Sequence, residues 1–280
     1  MKKHNMTCNF ESLNDSFSYL SAMIHHEGEH IVNRQKKCKE IIQSSICITD
    51  PTDLHITQPQ RKFNFLYSIS EFLWYLSCDV EVKNISKLAR IWGEICDSNG
   101  DVVSNYGAII RDQWDLVIKE LVNDSESRRA TINVNSCSNN KSNVLDCPCT
   151  MCVQFLIRDG KLNLIVTMRS NDVVFGFCND VFCWCLFQQM MLNELNEKGL
   201  DIELGSYFHN VGSLHAYERH YSLIESCSKY NESTRGQIKL KEYVTWKYIE
   251  DFAKHMPITN TSKEELEAQA KKFMAKDVYV

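Results

Sequence analysis

Apolar residues return at helical spacing early in the chain. Leu13, Phe17, Leu20, Met23 and Ile24 share one face, which predicts a helix over 14–26. Residues 40–49 alternate and are rich in isoleucine, the pattern of a strand. Over 64–76 the apolar density is higher: Phe65, Leu66, Ile69, Phe72, Leu73 and Leu76 predict a helix buried on most faces. Glu71 lies inside that helix, and a buried carboxylate calls for a partner or a function. Amphipathic helices are predicted over 85–95 and 111–122. The apolar period then shortens to that of a strand. Residues 129–134, 151–158 and 161–168 read as strands, and Asp159-Gly160 between the last two is a hairpin turn signal. A long apolar helix follows over 181–196, then a strand over 207–211 and a helix over 216–226. A charged helix over 262–274 has Ser262 as its cap and Glu265 three residues on. Helices precede strands without strict βαβ alternation, which predicts an α+β fold. No internal repeat or low-complexity linker divides the chain, so its 280 residues are read as one domain.

Composition narrows the function. The net charge is −5 with no basic block, unlike a general nucleic-acid binder, so no stable nucleic-acid partner is expected. A small anionic substrate stays open, because a few arginines suffice for a phosphate. The most apolar stretch, 175–192, is interrupted by Asn179, Asp180, Gln188 and Gln189, so no membrane span is expected. Glycine and proline are scarce, 10 and 4, which excludes collagenous and linker-like architectures. Cysteine is abundant and odd in number, 13. Met1-Lys2-Lys3-His4-Asn5 leads into no apolar stretch, so the thiols are read as reduced and the protein as cytoplasmic.

Three constellations could carry chemistry. Cys147, Cys149 and Cys152 form C-x-C-x-x-C, with a second cluster at Cys178, Cys183 and Cys185. Structural zinc needs four ligands, and no histidine pair stands nearby at finger spacing, so no metal is expected. Most of these thiols read as small buried hydrophobes. Cys149 is the better nucleophile, since it precedes a predicted strand and Arg169 closes the paired one. A guanidinium favours thiolate. Arg169, Ser170, Asn171 and Asp172 at a strand end suit an anion site, with a solvated turn as the plain alternative. His215 and Tyr217, two apart, point the same way if the chain is extended. The plain alternative there is a core histidine and a packed tyrosine.

Taken in order, Pro148-Cys149, Gln154-Phe155, Arg169-Ser170-x-Asp172-Val173 and Gly212-x-x-His215-x-Tyr217 resemble the thymidylate synthase family. Ser127-Arg128-Arg129 and Glu71-Phe72-Leu73-Trp74 match two further motifs of that family. The resemblance runs over 63–225 and is densest over 148–221, while 1–60 and 226–280 match weakly. Within the family the chain is most similar to the deoxycytidylate (dCMP) hydroxymethylase branch. Cys149-Thr150 replaces a Cys-His pair, and the stretches 169–177 and 210–215 follow that branch. Asp180 stands where thymidylate synthases carry an asparagine that reads uracil. Cytosine presents an acceptor at nitrogen 3 and an amino donor at carbon 4, the reverse of uracil, and a carboxyl group can serve both. Such hydrogen bonds discriminate strongly. Asp180 could instead be an acid placed at a helix N-terminus.

The resemblance implies a thymidylate synthase-like fold, a mixed sheet flanked by helices, with sheet packing in a homodimer. It implies transfer of a one-carbon unit from 5,10-methylenetetrahydrofolate to carbon 5 of dCMP, completed by water, in the host cytoplasm of a phage with modified DNA. Cys149 would add to carbon 6, Glu71 would order water, and Asp180 would meet the base. Arg169 and Ser170, with Asn171 beside them, would hold the nucleotide and its 5′-phosphate. Arg128 and Arg129 would reach the phosphate of the partner subunit, and Arg34 could add another contact. His215 and Tyr217 would hold the sugar. Asp172, Trp92 and Tyr106 are expected on the folate side or in the pocket wall, Trp92 equally as core packing. Ser213 departs from the aspartate usual in thymidylate synthases, and 275–280 does not match their closing tail. The alternatives are a CMP hydroxymethylase of nucleoside antibiotic synthesis, a thymidylate synthase or dUMP hydroxymethylase, and an idle nucleotide- or RNA-binding relative. The last is expected to lose Cys149 or the arginines, and all are present.

Overall fold

The computed structural model describes residues 5–137, 144–229, 235–254 and 261–279; the opening 1–4, read above for a leader, lie outside that range. The chain begins with β1 (Met6–Phe10) and α1 (Leu13–Glu27). The Ser12 hydroxyl caps α1 by accepting the Asp15 N–H at 3.0 Å. The predicted face of Leu13, Phe17, Leu20 and Ile24 is buried. β2 (Glu29–Asn33) returns through Arg34 and Gln35, both at positive φ, into β3 (Lys36–Ile48). α2 (Phe65–Leu76) starts where the Asn64 side chain accepts the Tyr67 N–H at 3.2 Å.

The helix predicted over 85–95 is broken into a 3-10 turn at Ile85–Lys87 and a short α3 (Ile91–Ile95). Ser86 and Gly93 are weak helix formers, and the Leu88 N–H closes a tight turn onto Ile85 O at 3.0 Å. α4 (Tyr106–Asn123) begins earlier than predicted, because Asn105 caps it by accepting the Ala108 N–H. The Asn105 amide also donates to the Trp74 and Asp79 carbonyls at 3.1 and 2.7 Å, tying α4 to the end of α2. The two helices nearly touch at Gly107, where a Cβ would stand 1.5 Å from the Tyr75 carbonyl oxygen.

β4 (Thr131–Asn133), β5 (Thr150–Arg158) and β6 (Lys161–Asp172) follow. Asp159 and Gly160, at φ 51° and 70°, make the expected tight hairpin. β6 runs four residues past the predicted strand, so Arg169 to Asp172 is paired backbone and not a solvated turn. α5 (Gly176–Glu197) leads to β7 (Glu203–Tyr217). The helix predicted from 216 starts later, because β7 is held on both edges there: Ala216 opposite Lys39, and His215 opposite Asp172. After a 3-10 turn, α6 (Tyr221–Ser228) begins. β8 (Lys239–Leu240), α7 (Trp246–Lys254), α8 (Lys263–Asp277) and β9 (Val278–Tyr279) complete the described chain. α8 carries the predicted capping box between Ser262 and Glu265.

Seven strands form one mixed sheet in the order β1-β3-β7-β6-β5-β4, with β2 also paired to β3. β6–β7 and β1–β3 are parallel and the other pairs antiparallel. The architecture is α+β, as the sequence predicts. Strand alternation sends Ile46, His209, Val166 and Val153 into the core. α5 covers this face and is buried almost all round, which explains its apolar run. Its two glutamines are sheet and loop anchors. The Gln188 amide donates to the Leu162 carbonyl at 2.9 Å, and Gln189 accepts the Leu240 N–H at 2.8 Å. The other face of the sheet carries a row of Cys47, Phe208, Ile165 and Gln154, all partly exposed.

Candidate active site

Pro148 and Cys149 lead into β5. The Cys149 and Thr150 N–H groups are donated to the Tyr106 hydroxyl at 3.3 and 3.4 Å. The Tyr106 ring stacks against Tyr75 at 5.5 Å and Trp184 at 5.9 Å. Its faces are covered by core aromatics, and its oxygen fixes the backbone where β5 begins.

Arg169 pairs with Cys149 across β5 and β6, its N–H donated to the Cys149 carbonyl at 2.9 Å. Its guanidinium donates to the Pro148 and Cys147 carbonyls at 3.0 and 2.7 Å and lies 3.6 Å from the Cys149 sulfur. Burial pushes the Cys149 thiol up to about 11, against the pull of Arg169. The negative charges of Asp180, Cys147 and Asp146 push the same way as burial. The Arg169 guanidinium does favour thiolate, as expected, but in the ligand-free site desolvation outweighs it.

Glu71 is buried on α2, and the hydroxyl of Tyr67, one turn earlier, donates to it at 2.5 Å. The Trp92 indole donates to that hydroxyl at 3.1 Å, and its ring packs on Trp74 at 4.7 Å. Trp92 thus packs in the core behind Glu71, where its indole supports Tyr67. Burial raises the Glu71 carboxyl to about 8; the Tyr67 bond opposes this and the Asp180 charge adds to it.

Asp180 is the fifth residue of α5, beyond the first turn, and no acid stands in that turn. The turn into α5 is fixed by Asp172, whose carboxylate accepts the Val174 and Phe175 N–H groups at 3.3 and 3.1 Å. Asp180 bonds elsewhere: the Asn171 amide donates to its Oδ2 at 2.7 Å. Burial raises Asp180 to about 7, opposed by the Asn171 bond and aided by the Asp172 charge. The helix-terminus reading of Asp180 is therefore displaced. The Asn171 oxygen lies 3.1 Å from His209 Nε2, and His209 Nδ1 lies 2.7 Å from the Tyr207 hydroxyl.

Parallel pairing of β6 and β7 sets Ser170 opposite Ser213 and Asp172 opposite His215. His215 is nearly buried, and its ring meets Tyr217 edge to face at 5.0 Å, so the two do share a face. Ser213 donates to Glu40 on β3 at 2.5 Å. Arg34 sits apart, exposed in the turn between β2 and β3. Arg128 and Arg129 are exposed just before the edge strand β4; among the described residues neither bonds to the Cys149 site. Arg129 lies 3.9 Å from Glu120.

Sequence reasoning missed three features. Tyr67 was legible, being four residues before Glu71 on one helix. His209 and Tyr207 share a strand face, but their link to Asn171 is tertiary. Phe175 is exposed beside the Asp172 turn, with the Arg61 guanidinium 4.7 Å over its ring and His220 against it at 5.2 Å. Arg61 is buried and donates to the Val174 carbonyl at 2.7 Å; no carboxylate pairs with it among the described residues. All thirteen cysteines are free thiols. Among the described residues no three His, Cys, Asp or Glu side chains gather as a metal site. No helix among them is long and apolar enough to cross a membrane.

The family model of thymidylate synthase matches residues 15–264. The chain belongs to the thymidylate synthase family. It is accordingly a folate-dependent one-carbon transferase. It is 38% identical over 191 residues to the deoxycytidylate 5-hydroxymethyltransferase of Enterobacteria phage T4, covering 64% of this chain and 76% of the relative. The phage T6 enzyme of the same name is 38% identical over 180 residues, 60% of this chain and 73% of the relative. The thymidylate synthase of Vesicomyosocius okutanii is 28% identical over 184 residues, 62% and 67% of the two chains. Thermostable thymidylate synthase A from Bacillus subtilis shares the fold, with a TM-score of 0.70 at 19% identity over 83% of this chain and 90% of that one.

Proposed function

We propose that this chain is a deoxycytidylate 5-hydroxymethyltransferase, one thymidylate synthase-like unit acting as a homodimer in the cytoplasm of a phage-infected host. The observation that carries the reading is Asp180. Its charge acts on both Glu71 and Cys149, it does not cap its helix, and its buried carboxyl sits near neutrality. A carboxyl at that point can give a proton to nitrogen 3 of cytosine and accept from the 4-amino group. The phage relatives carry the same activity in their names.

In this reading Cys149, once deprotonated, adds to carbon 6 and makes carbon 5 nucleophilic. Methylenetetrahydrofolate supplies the one-carbon unit that carbon 5 takes up. Asp180 balances charge at nitrogen 3 during both changes. Once carbon 5 has lost its proton and tetrahydrofolate has departed, Glu71 holds the water that adds to the new carbon, giving 5-hydroxymethyl-dCMP, and Cys149 then leaves carbon 6. Arg169, Ser170 and Asn171 hold the nucleotide, with His215 and Tyr217 at the sugar. Arg128 and Arg129, exposed at the sheet edge, suit a phosphate on a partner subunit, and Arg34 can join them from its turn. In this reading folate lies beside Asp172. Exposed Phe175 offers a ring for stacking, and Arg61 is a buried cation with no acid partner among the described residues.

The test is turnover of dCMP, CMP and dUMP with methylenetetrahydrofolate, read by mass. The dCMP arm is expected to dominate and to yield 5-hydroxymethyl-dCMP, with Cys149→Ala binding nucleotide but producing none. A dominant CMP arm would mark a ribonucleotide enzyme, and a dominant dUMP arm a thymidylate synthase or dUMP hydroxymethylase. No product from protein that binds dCMP would leave an idle relative.

A further inference from the structure

Behind Asp180 runs a buried chain of hydrogen bonds with one direction. Tyr207 and His209 are fully buried and Asn171 nearly so. A phenol has one proton to give, and the only partner of the Tyr207 hydroxyl among the described residues is His209 Nδ1, at 2.7 Å. With Nδ1 accepting, the ring proton sits on Nε2 and is donated to Asn171 Oδ1 at 3.1 Å. The Asn171 amide is then oriented with its NH2 toward Asp180 Oδ2, at 2.7 Å. Packing holds the members in place. Phe177 meets the His209 ring edge to face at 5.2 Å. Gly176 leaves room for the amide, since a Cβ there would stand 2.8 Å from Asn171 Nδ2. Burial also holds the His209 ring neutral, its acid constant lowered to about 3, so it cannot donate from both nitrogens.

Resting on the reading of Asp180 as the group that meets the pyrimidine, we infer that His209 is a positioning residue for nucleotide choice: by fixing the Asn171 amide it confines the Asp180 proton to Oδ1. The chemistry follows from donor counting. Oδ2 accepts from Asn171 and cannot carry a proton pointed at that amide. Oδ1, which has no hydrogen-bond partner among the described residues, carries it. An acid protonated on Oδ1 gives a proton to nitrogen 3 of cytosine, while Oδ2 keeps a lone pair for the 4-amino group. With the amide reversed, the Asn171 oxygen would draw the proton to Oδ2. Oδ1 would then be a bare acceptor, matched to the nitrogen 3 N–H of uracil. The ionisable groups that face Asp180 are Glu71, Tyr75, Tyr106, Cys149, Asp172, Cys183 and Tyr207. All are acids, so none supplies a cation that could replace the Asn171 donor.

The test measures Kd for dCMP and dUMP by calorimetry on the full chain, so it needs no turnover. His209→Phe keeps an aromatic ring without a donor, and His209→Gln keeps a donor. The dCMP:dUMP affinity ratio is expected to fall by about tenfold to a hundredfold in His209→Phe. It is expected to recover to within about threefold of wild type in His209→Gln, whose amide can donate as the ring did. A structural role alone would weaken both nucleotides together; an unchanged ratio in His209→Phe overturns the inference. Should that variant not fold, Tyr207→Phe decides: it removes the donor that sets the ring tautomer, and an unchanged ratio overturns the inference equally. Nitrogen NMR of the wild-type ring gives a nucleotide-free check. A neutral Nε2–H ring from pH 5 to 8 is expected, and a ring that titrates there or carries its proton on Nδ1 overturns it. Wild-type preference for dUMP would instead overturn the proposed function, while the variant's shift in ratio would still judge His209.

Discussion

Asp180, Glu71 and Cys149 all hold protons more tightly than the same groups in water, and in each the leading cause is burial. The two carboxyls give a stability signature with a definite sign. Folded Glu71 and Asp180 keep their protons to about 8 and 7, whereas the unfolded chain loses them near the ordinary values of 4.5 and 3.8. The folded chain binds more protons between those limits, so stability falls as pH rises. His209 acts in the opposite sense, but only below its ordinary value of 6.5. From pH 6.5 to 8 the two carboxyls dominate, and the nucleotide-free protein is expected to lose about 2 kcal/mol. Urea unfolding across that range checks this, and Glu71→Gln should flatten the loss by more than half. At the same scale, Asp180→Asn replaces an acid with an amide that suits uracil. It is expected to shift kcat/KM preference toward dUMP by about 10³-fold; an unaltered preference for dCMP would contradict the role given to Asp180.

Among elements, the crossing of α2 and α4 matters most for the site. α2 carries Glu71, and α4 begins with Tyr106, whose hydroxyl receives the backbone of Cys149 and Thr150. Contact at Gly107 sets their spacing, because a side chain there would meet the Tyr75 backbone. Gly107→Ala is expected to destabilise by more than about 2 kcal/mol in urea unfolding. It should also lower turnover, since Glu71 and Cys149 would separate. Helix and strand periods made α1, α2, β5, α5 and α8 legible, because each has a clear apolar face or a capping residue. The break at 85–95 and the late start of α6 were not. In the first, weak helix formers let tight turns win. In the second, pairing of β7 on both edges overrode helical spacing. β1, β2 and α7 went unread, being short segments whose placement depends on a neighbour.

For the whole molecule, one face of the sheet stays partly exposed among the described residues. Its row of Cys47, Phe208, Ile165 and Gln154 is partly apolar, as expected of a surface that meets another copy. The exposed Arg128 and Arg129 lie at the edge of the same sheet. Phe208→Glu is therefore expected to give a monomer in sedimentation velocity and to lower turnover by about a hundredfold, through loss of the partner's phosphate contacts. A monomeric wild type with full activity would contradict the shared site.

The sequence by itself determined the elements with strong periods, the α+β class, and the order of motifs that placed the chain in the thymidylate synthase family. It also singled out Cys149, Glu71, Arg169 and Asp180, because their motifs are local and each residue type limits the chemistry available. Tertiary structure alone decided how these groups behave. Burial, which no local pattern measures, set the thiol above its ordinary value and brought two carboxyls near neutrality. Packing set the Trp92 indole on Tyr67 and the Tyr106 hydroxyl on the backbone of Cys149 and Thr150. It also joined Tyr207 and His209, more than thirty residues beyond Asn171, to the Asp180 carboxyl. Hydrogen-bond direction depends on which groups meet in space, and only the folded chain fixes that.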